Sequence, residues 1–246
     1  MSRTFTRTSP SDIAFADHAS HDFPNASWAA HIRVYWNGDQ DLTARYIFDV
    51  RGSSSFLVPY VYGYSGPGAS FGCSIADDNG YIGSELDTSA NFNFGVWQSI
   101  VIYHDKGTEF GCYIENAQSG TMMVADTGGI GFTFTSDWTF GNSNTPSTTN
   151  GFDGRLADFA VWHRLLTSNE RDRLKNGDSP EFIQGFKKYI PMIKTVTDRV
   201  TGQTGTETNI TDGEHPRIQE PYPQTSLHGR KRTPHYYHKL LAGVGA

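Results

Sequence analysis

The stretch that decides the fold runs from Phe152 to Thr167 and reads Phe-Asp-Gly-Arg-Leu-Ala-Asp-Phe-Ala-Val-Trp-His-Arg-Leu-Leu-Thr. Its segment Leu156–Trp162 is apolar at every position but Asp158, which is typical of a central strand covered on both faces. We interpret Asp158 as a buried carboxylate that accepts hydrogen bonds from backbone N–H groups. The sequence therefore predicts a strand in the middle of a sheet.

A short helix is predicted directly after this strand. Thr167-Ser168-Asn169-Glu170 has the pattern of a capping box, in which the threonine hydroxyl accepts a bond from the N–H three residues on and the glutamate reaches back. The helix is predicted over about residues 167–176 and ends before Gly177, since glycine favours the position after a helix.

Other strands are predicted upstream from alternating apolar residues, separated by turn signals such as Asn79-Gly80. The composition agrees, since 26 residues are glycine and 13% are aromatic, while only 19% are charged against a typical value of about 25%. These features exclude a helical bundle and a coiled coil, and they predict an all-β fold, an antiparallel sandwich or barrel. The alternating sets are Ile32, Val34, Trp36; Tyr46, Phe48, Val50; Phe71, Cys73, Ile75; Phe110, Cys112, Ile114; and Phe132, Phe134.

Charge divides the chain near residue 186. Residues 1–186 carry 11 Lys/Arg and 21 Asp/Glu, a net −10, whereas residues 187–246 carry 9 and 5, a net +4. We therefore predict a sandwich domain over residues 1–186 and an extended, basic, Pro-rich arm over residues 187–246. The predicted partner-binding residues of this arm are Arg230, Lys231, Arg232, Tyr236, Tyr237, Leu240 and Leu241.

The remaining composition argues against several classes of protein. No apolar run approaches the ~20 residues that span a bilayer, and the N-terminal residues lack the apolar core of a signal peptide. The acidic body argues against a dedicated nucleic-acid binder, so docking of the basic arm on an acidic protein surface is the better interpretation. Cys73 and Cys112 are interpreted as small core residues.

No cofactor is expected, although a structural calcium ion stays open. Asp17-His18-x-x-His21-Asp22 and Asn37-Gly38-Asp39-Gln40-Asp41 both offer oxygen or nitrogen ligands. The second cluster lacks the glutamate that closes an EF-hand loop, and solvated polar loops are the default interpretation of both.

Residues 152–174 resemble the last strand and following helix of concanavalin A-like domains of the laminin-G and pentraxin type, in which a Gly-x-Ile/Leu-Asp strand leads into a Leu-Thr/Ser-x-x-Glu helix. Trp97–Tyr103 and Phe140-Gly141-Asn142 are similar to two further strands of that family. The resemblance covers about residues 10–178 and implies an all-β fold, an antiparallel jelly-roll β-sandwich of the concanavalin A-like type with one short helix.

A second resemblance concerns the tail. Tyr189-Ile190-Pro191-Met192, residues 201–206 and His215-Pro216-Arg217-Ile218 are similar to the end of laminin-G-like proteins of tailed bacteriophages and viral metagenomes. This likeness implies a virion surface component, namely a capsid decoration or tail-associated protein. Its implied partner is the major capsid protein or another virion protein, with a homo-oligomer as a further possibility.

Enzymatic activity is not expected. Laminarinase-type glucanases share the sandwich but need a Glu-x-Asp-x-x-Glu strand, whose carboxylates lie about 5 Å apart in a retaining enzyme. No such spacing occurs in the sequence. Gly68-Ala69-Ser70-Phe71-Gly72 has the letters of a nucleophile elbow, but it lies between predicted strands rather than at the strand-to-helix turn that the elbow requires.

The alternative function is a glycan-binding module. Aromatic rings pack on the faces of sugars, and Tyr60, Tyr62, Tyr64 and Trp138 are predicted in or near exposed loops. A polysaccharide is therefore kept as a second partner, although aromatic residues of a sandwich are more often part of the core.

Overall fold

The computed structural model contains two antiparallel β-sheets packed face to face, with one α-helix outside them. This architecture confirms the predicted all-β jelly-roll sandwich. The structure describes residues 2–8, 10–18, 22–24, 26–38, 43–52, 55–63, 69–77, 80–83, 92–115, 117–123, 133–192, 196–214 and 216.

The first sheet, sheet A, holds the strand from which the sequence argument started. Strand β13 (Gly154–Trp162) lies at its centre. It lies between β3 (Trp28–Trp36) on one side and β1 (Ser2–Phe5) and β14 (Phe186–Ile190) on the other. In spatial order sheet A consists of β11 (Ala117–Met123), β10 (Glu109–Ile114), β9 (Trp97–Asp105), β3 (Trp28–Trp36), β13, β1 (Ser2–Phe5) and β16 (Thr211–Gly213), with β14 (Phe186–Ile190) also paired to β13.

The second sheet, sheet B, combines short and long strands. In spatial order it consists of β15 (Thr206–Thr208), β2 (Asp12–Phe15), β12 (Trp138–Phe140), β5 (Phe48–Arg51), β6 (Phe56–Gly63), β7 (Ala69–Asp77) and β8 (Gly80–Gly83), with β4 (Arg45–Tyr46) also paired to β6. Successive side chains along each strand point alternately to the inner and the outer face of the sheet. Leu57 and Val61 therefore point into the sandwich, while Tyr60 and Tyr62 point outward.

The main core lies between the sheets and is rich in aromatic rings. Trp138 is fully buried there, with its ring centroid 5.7 Å from that of Phe48 and 5.5 Å from that of Phe159. Cys73 and Cys112 are buried in the same core, as the sequence predicts, and both are free thiols. Burial raises the pKa of both thiols, so they act as small apolar side chains.

A second cluster lies outside sheet A, under helix α1 (Ser168–Lys175) and the short 3₁₀ turn Pro180–Phe182. Leu174 of the helix packs there against Trp162 and Tyr189 of the sheet. Sheet A is therefore covered on both faces at β13, which confirms the prediction made from its continuous apolar run. The predicted capping box of Thr167 and Glu170 is also present.

The predicted domain boundary at residue 186 falls inside the sheets. Strand β14 pairs with β13, β15 pairs with β2 and β16 pairs with β1. The sandwich therefore extends to Gly213, because three strands beyond residue 186 supply hydrogen bonds that the sheets would otherwise lack. Two of these strands were not predicted because their sequences are polar: β15 reads Thr-Glu-Thr and β16 reads Thr-Asp-Gly.

When the division is moved from residue 186 to residue 216, the same positive net charge falls on a shorter segment. Residues 1–216 hold 15 Lys/Arg and 25 Asp/Glu, a net −10, and residues 217–246 hold 5 and 1, a net +4. Among the described helices, none has the length and apolar character needed to cross a membrane.

Candidate functional site

The outer face of sheet B carries a group of three tyrosines, here called the tyrosine face: Tyr46, Tyr60 and Tyr62. Tyr46 lies opposite Tyr60 in the pairing of β4 with β6, and Tyr62 follows two residues along β6. Their ring centroids are 6.4 Å apart for the first pair and 6.0 Å for the second. The strand period of two therefore gathers three aromatic rings on one side of a rigid sheet.

A glycine makes room for the central ring of this face. Gly72 pairs with Tyr60 across β6 and β7, and a Cβ atom added to Gly72 would lie 2.4 Å from the Tyr60 ring. The ring lies flat over the β7 backbone because the facing residue has no side chain. Tyr60 is only 4% exposed, whereas Tyr46 and Tyr62 are half-buried. The two flanking rings are thus the ones that a ligand can reach.

The structure divides the predicted glycan-binding residues. Tyr60 and Tyr62 do share one face, and Tyr46 joins them although the sequence argument did not single it out. Tyr64 lies outside the described residues. The placement of Trp138 in an exposed loop was wrong, because β12 turns its indole into the core with no exposed surface. The ring cannot pack on a sugar from that position.

Polar groups lie further along the outer face of sheet B. The Arg51 side chain is half-exposed and its Nε donates to Asp49 Oδ1 over 2.8 Å. This hydrogen bond to Asp49 raises the pKa of Arg51 above its ordinary value, so the guanidinium stays charged. The face therefore combines accessible aromatic rings with a fixed pair of hydrogen-bonding groups.

A second surface, here called the tyrosine cleft, lies on the outer face of sheet A beside the helix. It has a volume of about 170 Å³. Tyr103 and Asp105 of β9 lie next to Tyr113 and Glu109 of β10, and the tyrosine ring centroids are 5.0 Å apart. The cleft is lined by Val101, Tyr103, Asp105, Glu109, Tyr113, Leu165, Leu166 and Arg171.

Hydrogen bonds fix the polar groups of the tyrosine cleft. The Tyr103 hydroxyl donates to Glu109 Oε1 over 2.6 Å and accepts from Gln118 Nε2 over 3.0 Å. Burial and the bond to Glu109 raise the pKa of Tyr103, so the phenol keeps its proton and donates it in this hydrogen bond. The guanidinium of Arg171 lies 3.8 Å from the centroid of the Tyr113 ring, within the range of a cation–π contact.

Sequence reasoning missed this cleft. Tyr103 and Tyr113 lie ten positions apart, and the signal that could have joined them is the Lys106-Gly107 turn, which pairs β9 with β10. Arg171 comes from the helix, whose position over these strands is a matter of tertiary packing.

Between the cleft and the middle of sheet A lies a buried polar cluster. Asp158 has a left-handed backbone, with φ of 53°, where β13 bulges against β3. The bulge turns its carboxylate outward, where Oδ1 accepts from the Tyr189 hydroxyl over 3.2 Å and Oδ2 lies 3.3 Å from Arg33 Nε. Asp158 is therefore buried, as predicted, and these two side chains are partners that the sequence argument did not foresee.

One contact in this cluster has the appearance of a nucleophile and base. His31 Nε2 lies 3.0 Å from Ser99 Oγ, and His31 Nδ1 lies 3.0 Å from the backbone oxygen of Asp158. Complete burial, followed by the charge of Arg33, lowers the pKa of His31 well below its ordinary value. A base that takes up a proton so poorly is unsuited to activating Ser99, so we interpret the contact as a link between β3, β9 and β13.

Two predictions concern residues that the structure describes only in part. Of the predicted metal-binding clusters, His21, Asp39, Gln40 and Asp41 lie outside the described residues, while Asp22 Oδ1 accepts from the Phe134 N–H over 2.8 Å. Within the described ranges, no group of three or more metal-ligating side chains occurs. The arm residues Arg230, Lys231, Arg232, Tyr236, Tyr237, Leu240 and Leu241 also lie outside the described residues.

Comparison with known proteins identifies the sandwich. The family model described as the concanavalin A-like lectin/glucanases superfamily, of the laminin-G type, matches residues 10–170. This range is close to the one over which the sequence itself resembles that family. No curated protein sequence gives a significant match.

Solved structures share the fold at low sequence identity. A heptameric SAP-like pentraxin from Limulus polyphemus matches with a TM-score of 0.58 and 14% identity over 85% of this chain and 93% of the pentraxin. A candidate carbohydrate binding protein from Bacteroides ovatus gives 0.60 and 15% over 85% of this chain and 58% of that protein. The binding domain of Paraclostridial Mosquitocidal Protein 1 gives 0.51 and 18% over 71% and 42%. The chain thus spans most of the pentraxin but about half of the other two.

Proposed function

Since the chain belongs to the concanavalin A-like lectin/glucanases superfamily, we propose that it is a carbohydrate-binding module that holds a glycan against its tyrosine face. The observation that carries this proposal is the grouping of Tyr46, Tyr60 and Tyr62 on the outer face of sheet B. The similar fold of the candidate carbohydrate binding protein from Bacteroides ovatus supports the same class of function.

The chemistry of a sugar suits this surface. One face of a pyranose ring presents C–H bonds, which pack on the electron-rich face of an aromatic ring, while the hydroxyl groups at its edge need polar partners. Tyr46 and Tyr62 offer accessible rings, and their own hydroxyls can donate or accept. Because the rings stand on paired strands rather than on loops, little conformational entropy is lost when a ligand orders them.

The test is binding of the full chain to a broad glycan array, followed by titration calorimetry with the best polysaccharide. Tyr62→Ala is expected to weaken binding about tenfold, equivalent to about 1.4 kcal/mol. Tyr62→Phe retains the ring and should keep most of the affinity. Tyr35→Ala is the matched control, since Tyr35 is a half-buried tyrosine of sheet A. Absence of glycan binding, or equal loss in Tyr62→Ala and Tyr35→Ala, would contradict the proposal.

The virion role remains a second proposal. It is supported by the likeness of the tail to laminin-G-like proteins of tailed bacteriophages and by the net +4 of residues 217–246 beside the net −10 of residues 1–216. In this role the basic arm anchors the sandwich to a capsid protein or to another virion subunit.

Particle incorporation tests the virion role. A chain that ends at residue 224 should no longer join purified particles, whereas Tyr62→Ala should still join them because it changes only the tyrosine face. Unchanged incorporation of the truncated chain would rule out anchoring by the arm.

A further inference from the structure

We propose that the tyrosine cleft of sheet A is the docking site for the chain's own C-terminal segment, residues 217–246. The proposal concerns a surface separate from the tyrosine face of sheet B. It does not depend on glycan binding, and it commits to one occupant, the segment of the same molecule.

The first argument is where the described chain ends. After β16, Glu214 lies 3.7 Å from Arg155 Nη1, and Pro216 then lines a recess with Trp97 and Ser99 at the start of β9. Trp97, Ser99, Val101, Tyr103 and Asp105 follow one another along the outer face of that strand, because alternate residues of a strand share a face. The described chain therefore ends beside the strand that carries the cleft.

The second argument is reach. Ser99 and Tyr103 are four residues apart on β9, a distance of about 13 Å along an extended strand. Arg230 follows Pro216 by 14 residues, which can extend over about 45 Å. The basic residues can therefore reach the cleft of the same molecule without strain, and the short tether gives them a high effective concentration there.

The third argument is complementary chemistry. Asp105 and Glu109 lie directly opposite each other in the pairing of β9 with β10, and like charges in that relation are destabilising. Asp105 accepts from the Ser27 hydroxyl over 3.0 Å and Glu109 from the Tyr103 hydroxyl, but neither of these hydrogen bonds supplies a positive charge. The charge of Arg171 is already held over Tyr113, with Nη1 donating to the Leu166 oxygen over 2.6 Å. The three charged side chains lining the cleft sum to −1, inside a body of net −10.

The segment offers the matching groups in a short span. Arg230-Lys231-Arg232 supplies three positive charges, and Tyr236, Tyr237, Leu240 and Leu241 supply aromatic and aliphatic side chains. The cleft places carboxylates beside tyrosine rings and the apolar Val101, Leu165 and Leu166. Cations paired with carboxylates at the rim and apolar groups against the leucines would use both halves of this surface.

Photo-crosslinking of the full chain tests the docking. A benzoylphenylalanine in place of Leu165, at the rim of the cleft, should form crosslinks within one molecule to peptides of residues 217–246, identified by mass spectrometry. The same probe in place of Tyr62, on sheet B, is the matched control and should give few such crosslinks. The yield should fall severalfold when ionic strength rises from about 0.1 M to about 1 M, since the screening length falls from about 10 Å to about 3 Å.

Charge variants separate docking from mere proximity. The triple variant Arg230→Glu, Lys231→Glu, Arg232→Glu changes no residue of the sandwich and should lower the crosslinking yield severalfold. Glu109→Gln should act in the same direction, whereas Asp172→Asn, at an exposed position of α1, should not. The proposal is overturned if crosslinks to residues 217–246 are absent, join two different chains only, or keep the same yield in the triple variant and at high salt.

Discussion

The outer faces of the two sheets differ in how far they are covered by other elements. Helix α1 and the 3₁₀ turn cover sheet A around β13. The polar side chains beneath them, such as Arg33 and Asp158, are therefore paired with other groups of the protein. Sheet B presents Tyr46 and Tyr62 to the outside. The comparison teaches that one outer face of a two-layer sandwich can bury paired polar groups while the other keeps aromatic rings accessible.

Sheet A also holds a buried charged pair on its inner face, which points toward the main core. Lys188 is nearly fully buried, with its ammonium 5.1 Å from the ring centroids of both Phe15 and Trp138 and 3.9 Å from Asp198 Oδ2. Burial lowers the pKa of Lys188 to about 7, although the charge of Asp198 opposes the shift. Such pairs stabilise only as complete units, because the loss of one partner leaves a buried charge alone.

The largest expected effect contrasts the two faces of sheet B. Trp138→Ala removes a fully buried indole from the main core and should lower the free energy of unfolding by about 3–5 kcal/mol. Tyr62→Ala on the outer face should change it by about 0.5 kcal/mol or less while weakening glycan binding. Urea unfolding followed by far-UV circular dichroism measures the free energy of unfolding of each variant. Similar values for the two variants would contradict the contrast between the inner and outer faces of sheet B.

A pH series tests the buried cluster of sheet A. Burial raises the pKa of Asp158 from 3.8 to about 6, against the opposing charge of Arg33. Between about pH 4 and pH 6 the folded chain therefore holds a proton that the unfolded chain has released, so this residue makes stability fall as the pH rises through that window. A shift of this size corresponds to as much as about 3 kcal/mol.

Asp158→Asn should remove this part of the pH dependence. We expect urea midpoints of the variant to decline less between pH 4 and pH 6 than those of the natural sequence. The matched control is Asp172→Asn, at an exposed position of the helix, which should keep the original slope. An unchanged slope in Asp158→Asn would show that another group dominates that window.

The smallest expected effect concerns the helix that covers sheet A. Thr167→Ala removes the oxygen that accepts from the Glu170 N–H and should cost about 1 kcal/mol. Ser168→Ala, one position further on, lacks that capping bond and is the control. Thermal unfolding should separate the two variants, and glycan binding on sheet B should be the same in both. A loss of binding in Thr167→Ala would mean that the two outer faces are coupled.

Much of the fold was predictable because its signals are local. The continuous apolar run Leu156–Trp162 identified the central strand, and the capping box at Thr167 identified the helix. The boundary at residue 186 was wrong because β15 and β16 are short and polar, with side chains that face outward. They form strands because the edges of β1 and β2 offer them backbone hydrogen bonds. β1 and β2 lie more than 190 positions away along the chain.

The sites were less predictable than the fold. Tyr60 and Tyr62 could be placed on one face from the strand period alone, yet their exposure depends on neighbours elsewhere in the chain. Trp138 was assigned to the wrong environment because a three-residue strand, Trp138–Phe140, carries too little periodicity to show which side faces the core.

By itself the sequence determined the all-β class, the central strand, the capped helix and the division of charge between body and tail. These follow from the period of two, from capping chemistry and from composition, all of which act over a few neighbouring residues or none. Only the tertiary structure decided which tyrosines share a face, how Arg171 comes to lie over Tyr113, and why Asp158 pairs with Arg33 and Tyr189. Those contacts join strands and loops far apart in the chain, and their geometry is set by sheet pairing and packing rather than by any local pattern.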